Sequence, residues 1–133
     1  MIDSIEKYLT EIKNIYDNSN ITKHLFFRGH SNCENYKLIP SVFRTEENKK
    51  GYNEKEILLD FKQYAPAHDI KYDFINERDR ILVDMQHYGI PTRLLDWTVA
   101  PLNALFFACY DNVEFNGEII ILDPWKYWKN IVR

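Results

Sequence analysis

Apolar residues recur at helical spacing in four stretches of this chain and as short unbroken runs in others. Ile5, Leu9, Ile12 and Tyr16 follow an Asp3-x-x-Glu6 start and predict an amphipathic helix over 4–17, with a packing role. Asn53, with Glu56 three residues on, predicts a second helix start, whose apolar face is Ile57, Leu58, Phe61 and Tyr64 and which Pro66 ends. Ile75, Ile81, Leu82, Met85 and Tyr88 predict a third helix from about 74 to 88, with a charged face at Glu77 to Arg80 and a stop at Gly89 and Pro91. Thr98 is placed to cap a fourth, burying Leu102, Leu105, Phe106 and Cys109.

The unbroken runs read as strands. Leu25-Phe26-Phe27 gives a buried strand that opens into a turn at Arg28-Gly29. Tyr36 to Pro40 is a short extended piece, followed by a charged loop through residue 52 that is expected to be mobile. Thr92 to Asp96 should be extended. Glu118-Ile119-Ile120-Ile121-Leu122, framed by Gly117 and Asp123-Pro124, predicts a core strand and then the first turn of a terminal helix. The expected fold is α+β, a small mixed or antiparallel sheet flanked by helices. It is read as one globular domain, with the helix of residues 1–24 packed on residues 25–133.

Composition narrows the function. Hydrophobic residues make up 45% and aromatics 15% of the chain, enough for a core and against disorder. Lys and Arg total 17 against 20 Asp and Glu, so a net charge of -3 gives no general attraction for nucleic acid. Cys33 and Cys109 are too few for a disulfide framework, and no zinc ligand set appears. The acidic start, Met1-Ile2-Asp3-Ser4-Ile5-Glu6, does not resemble a secretory signal, and no stretch has the length of a membrane span. A cytoplasmic location is expected.

Two segments carry the candidate chemistry. Arg28 leaves a strand end beside Gly29, where a missing side chain would let a phosphate or carboxylate ligand approach the backbone. The alternative is an Arg paired with a carboxylate such as Asp96. Gln86 to Trp97 gathers an amide, an imidazole, a hydroxyl, a guanidinium, a carboxylate and an indole within twelve positions. His87, near a helix C-terminus, suits a proton donor or phosphate contact, or simply a cap. Gln86 reads as an orienting group, Asp96 as the carboxylate that orients one of the two arginines, through an ion pair with Arg93 three residues before it or with Arg28, and Trp97 as a core plug or a stacking surface. No glycine-rich phosphate loop, zinc-protease pair or nucleophile elbow is present.

With those residues set out, the chain resembles the FRG domain family. Phe27-Arg28-Gly29 matches its aromatic-Arg-Gly signature. Its longer signature is matched by Gln86-His87-Tyr88-Gly89-Ile90-Pro91-Thr92-Arg93-Leu94-Leu95-Asp96-Trp97-Thr98 and by the Pro101-Leu102 and Ala104-Leu105-Phe106-Phe107-Ala108 segments. The layout is also similar to that of Arg-Ser-Glu ADP-ribosyltransferases, implying a truncated fold of that type. That resemblance implies NAD as the possible cofactor, bound by Arg28, Gly29, Thr92, Arg93 and Thr98. His87 and Glu118 would be the catalytic groups, although longer family members continue into segments that this sequence lacks. The implied function is an ADP-ribosyltransferase-like effector in toxin or phage-defence conflict. The alternative is a non-catalytic module binding a partner protein or a nucleotide signal.

Overall fold

Ser4 closes the first turn of the opening helix. Its Oγ accepts the backbone N–H of Lys7 at 3.2 Å, so α1, Ile5–Asn18, starts on a serine cap. Asp3, expected in that role, pairs instead with the Lys7 ammonium at 2.7 Å. The computed structural model describes residues 2–18, 25–35, 37–44, 51–68, 71–73 and 75–124. They fall into two compact units, Met1–Tyr36 with Trp97–Arg133, and Lys37–Asp96, each built around its own apolar cluster.

In the first unit, β1, Phe26–His30, pairs antiparallel with β2, Glu118–Leu122. Phe26 stands opposite Leu122, Arg28 opposite Ile120 and His30 opposite Glu118. On its other edge β1 is bridged by Thr98, whose backbone exchanges two hydrogen bonds with Phe27, at 2.7 and 2.9 Å. Alternation along β1 sends Phe27 and Gly29 to one face and Phe26, Arg28 and His30 to the other. Phe27, wholly buried, joins Tyr8, Ile12, Leu25 and Ala104 in the core, with Ile119 and Ile121 of β2 packed against them.

The second helix of this unit, α2, Pro101–Tyr110, starts from Ala100. Thr98 is therefore not its cap: the Thr98 hydroxyl accepts the N–H of Ala100 at 3.1 Å, ahead of the helix. The expected buried face is also corrected. Ala104 and Ala108 face inward with Leu105 packed on the same core, whereas Leu102, Phe106 and Cys109 are exposed. A Cβ added to Gly29 would overlap the carbonyl oxygen of Ala104 and lie 2.8 Å from the Ala108 nitrogen. The helix thus meets the strand backbone to backbone, and only small residues fit between them. In helix α1 the expected face holds at Ile12 and Tyr16, which pack on the core with Tyr8 and Ile15, whereas Ile5 and Leu9 point outward. The Tyr8 hydroxyl donates to the carbonyl of Pro101 at 2.8 Å, tying α1 to the start of α2.

The second unit contains α3, Glu54–Tyr64, and α4, Arg78–His87. This unit comes from the middle of the chain, and the first is assembled from both ends of it. Asn53 caps α3 as expected, its side chain accepting the N–H groups of Lys55 and Glu56. Helix α3 ends at Tyr64 and passes into a 3₁₀ turn over Ala65–His68. Tyr64 itself is exposed, while Ile57, Leu58 and Phe61 pack on Ile81, Leu82 and Met85.

Helix α4 begins later than expected. Asp73 Oδ1 accepts the N–H groups of Ile75 and Asn76, at 3.0 and 3.3 Å. The resulting turn occupies the predicted first turn of the helix and leaves Ile75 on the surface. Among the described residues the fold is α+β, four α-helices and a two-stranded antiparallel sheet. No helix there is long and apolar enough to cross a membrane. The loop predicted through residue 52 starts with a 3₁₀ turn, Ser41–Phe43; its residues 45–50, and the terminal helix predicted after Pro124, lie outside the described residues.

Candidate functional site

The strand carrying Arg28 does not end at Arg28-Gly29 as expected. It runs on to His30, and this places a third polar group on the Arg28 face. Arg28 donates through Nε to His30 Nε2 at 3.1 Å. His30 Nδ1 lies 3.4 Å from Glu118 Oε1, within ion-pair range though long for a hydrogen bond. The imidazole is buried, and the Glu118 carboxylate beside it is more open to solvent. A guanidinium, an imidazole and a carboxylate therefore follow one another across two paired strands. Arg28 and Glu118 are both sequence-predicted site residues, and the antiparallel register brings them together. Gly29, between Arg28 and His30, points the opposite way, where α2 fills the space expected for a ligand.

The second unit gathers another set. Helix α4 ends with Gly89 at φ 74, a left-handed conformation that glycine adopts without strain. Gly89 N–H reaches Gln86 O at 3.0 Å and Ile90 N–H reaches Met85 O at 2.9 Å, the paired bonds of a Schellman ending. Ile90 then packs on the Met85 cluster, and the chain turns back past the helix end. Thr92, wholly buried, donates its hydroxyl to Gln86 Oε1, and that hydroxyl accepts the N–H of Leu94 at 3.2 Å. Gln86 in turn donates through Nε2 to Asp96 Oδ2 at 2.9 Å. On the other side, Thr92 N–H donates to Ser41 Oγ at 3.0 Å, while Ser41 Oγ and Val42 N–H both donate to Thr92 O, each at 3.2 Å.

Gln86 thus links Asp96 to Thr92, and the partner expected for Asp96, Arg93, is engaged elsewhere. Arg93 turns outward and is held by both oxygens of Glu54, with Nε to Oε1 at 2.7 Å. The Arg93 guanidinium beside it keeps the Glu54 carboxyl below its usual range, and Glu54 raises Arg93 in return. His87 is exposed in the last turn of α4, its ring edge-on to Tyr88 with centroids 5.7 Å apart. Trp97 and Thr98 are half-buried and belong to the first unit. Arg28 and Glu118 lie in one unit and His87, Thr92 and Arg93 in the other.

Three participants escaped the sequence reading. Ser41 and Glu54 lie 51 and 39 residues from their partners, and no local pattern announces either. His30 had a signal: two residues beyond Arg28 on a continuing strand, it shares the Arg28 face. Among the described residues no three His, Cys, Asp or Glu side chains gather as a metal would require.

Helices against one face of an antiparallel strand pair, with an arginine on the other face, define an α+β domain organised around Phe27-Arg28-Gly29. The FRG domain family model matches residues 23–117, most of the chain, and the protein belongs to that family. No curated protein and no solved structure matches it.

Proposed function

We propose that this FRG domain acts on a nucleotide of the NAD type, in the manner of an ADP-ribosyltransferase, through the Arg28 face of the first unit. The observation carrying this reading is that Arg28 of β1 and Glu118 of β2 flank a single imidazole on one sheet face. The donor set fits the ligand: a planar guanidinium matches paired phosphate oxygens, and a carboxylate favours positive charge developing on a ribose nearby. As the glycosidic C–N bond breaks, its electron pair leaves with nicotinamide, and Glu118 would stabilise the ribosyl cation until an acceptor oxygen or nitrogen adds. In this reading Gly29 and Thr98 serve by holding β1 between α2 and its bridge.

The test is a melting curve with and without NAD, followed by assay of released nicotinamide. A ligand bound only by the folded state must raise the melting temperature. Wild type is expected to shift and Arg28→Ala is not, while Glu118→Gln keeps the shift and loses nicotinamide release. No shift at millimolar NAD would overturn the reading. A second reading, a module that binds a nucleotide signal or a partner protein without turnover, draws on the internal matching of charges. Arg93 is engaged by Glu54 on two points, and Glu118 already faces His30. It predicts that nucleotides stay intact on prolonged incubation.

A further inference from the structure

We infer that His30 is the positioning residue for Arg28, a role that rests on the phosphate-contact reading of Arg28 but is read from bonding the chain makes without a ligand. A guanidinium has donors and no acceptor, so a ring nitrogen that bonds Arg28 Nε must present a lone pair. That nitrogen is His30 Nε2. The neutral ring then carries its proton on Nδ1, the atom facing Glu118 Oε1 at 3.4 Å. The bond between the two side chains thus has one direction: Arg28 donates and His30 accepts, while the Nδ1 proton faces the Glu118 carboxylate at ion-pair distance. The order cannot be reversed, because neither end can exchange its role.

The consequence is geometric. Arg28 is gripped at Nε by a buried ring anchored on the same strand, which fixes the plane of the guanidinium on its sheet face. An arginine with flexible torsions loses less freedom on meeting a ligand when it is held this way beforehand. Glutamine can reproduce the arrangement, its amide oxygen accepting from Arg28 and its amide nitrogen donating toward Glu118. Leucine fills similar space and can do neither.

The experiment has two readouts. In wild type with isotope-labelled histidine, the spectrum of His30, identified among four histidines by its loss in His30→Gln, is expected to show the Nδ1–H tautomer. The Arg28 Nε–H should exchange slowly, should still do so in His30→Gln, and should exchange rapidly in His30→Leu. NAD titration should then give similar affinity for wild type and His30→Gln and a loss of about tenfold or more for His30→Leu, the scale of a hydrogen bond to a charged group. An Nε2–H tautomer in wild type overturns the inference, as does His30→Leu with wild-type affinity. If wild type binds no NAD, the nucleotide reading fails, and the tautomer and exchange data alone decide whether His30 holds Arg28.

Discussion

In the first unit Arg28, His30 and Glu118 stand on paired strands whose other face is closed by α2, whereas in the second Thr92, Gln86 and Asp96 are strung from a helix end and the irregular chain after it, with Ser41 joining from the 3₁₀ turn Ser41–Phe43. The first arrangement inherits its spacing from a backbone ladder, so the side chains need only point outward from a fixed register. The second has no ladder. There a buried hydroxyl links the segments, and side-chain hydrogen bonds do the work that strand pairing does elsewhere. The two glycines beside these groups differ accordingly: Gly29 is required for space and Gly89 for its torsion angle.

The contrast is broken most severely at Gly29. Gly29→Ala forces a methyl group into the Ala104 carbonyl and should cost about 3 kcal/mol or more, read by urea or thermal unfolding. Retention of wild-type stability would show that α2 does not close on β1 as described. Next comes Thr92→Val, which keeps the shape but strands the Leu94 N–H and Gln86 Oε1. A loss of about 1–3 kcal/mol is expected, with Thr92→Ser losing less because its hydroxyl remains. Gly89→Ala meets no atom within 4 Å and pays only for its left-handed backbone, so about 1 kcal/mol is expected in the same assay.

The smallest effect concerns Glu54. Its carboxyl is held below the ordinary value of 4.5 chiefly by its hydrogen bond to Arg93. The stability this adds is complete above that pH and disappears as pH falls through the depressed folded value. An unfolding series over the acidic range should show the decline in wild type and a flatter profile in Glu54→Gln. Because Arg93 is half exposed, the difference should be modest.

What the sequence disclosed was local. The Asn53 cap, the Gly89 ending and the Glu118–Leu122 strand each depend on residues within a few positions, and each appears where its pattern indicated. What it concealed depended on distant partners. Gly29 reads as a turn signal until the approach of α2 is known, and that misreading ended β1 early and hid His30. The same approach shifts most of the expected face of α2, Leu105 excepted: large apolar residues promise burial, yet a helix that touches a strand at glycine must turn its alanines inward. For Arg93 the nearby carboxylate in sequence is Asp96, and no local pattern discloses Glu54, its actual partner 39 residues back.

The tight seating of α2 against β1 also makes the thickness of one layer a control on the other side of the sheet. Ala104, Ala108 and Gly29 together act as a shim, and a bulkier residue in any of the three would push the strand outward. Arg28 would travel with it. The reach of the guanidinium is therefore set partly by residues that no ligand would ever touch, and variation at those hidden positions is a route to retuning the exposed face without altering any group upon it.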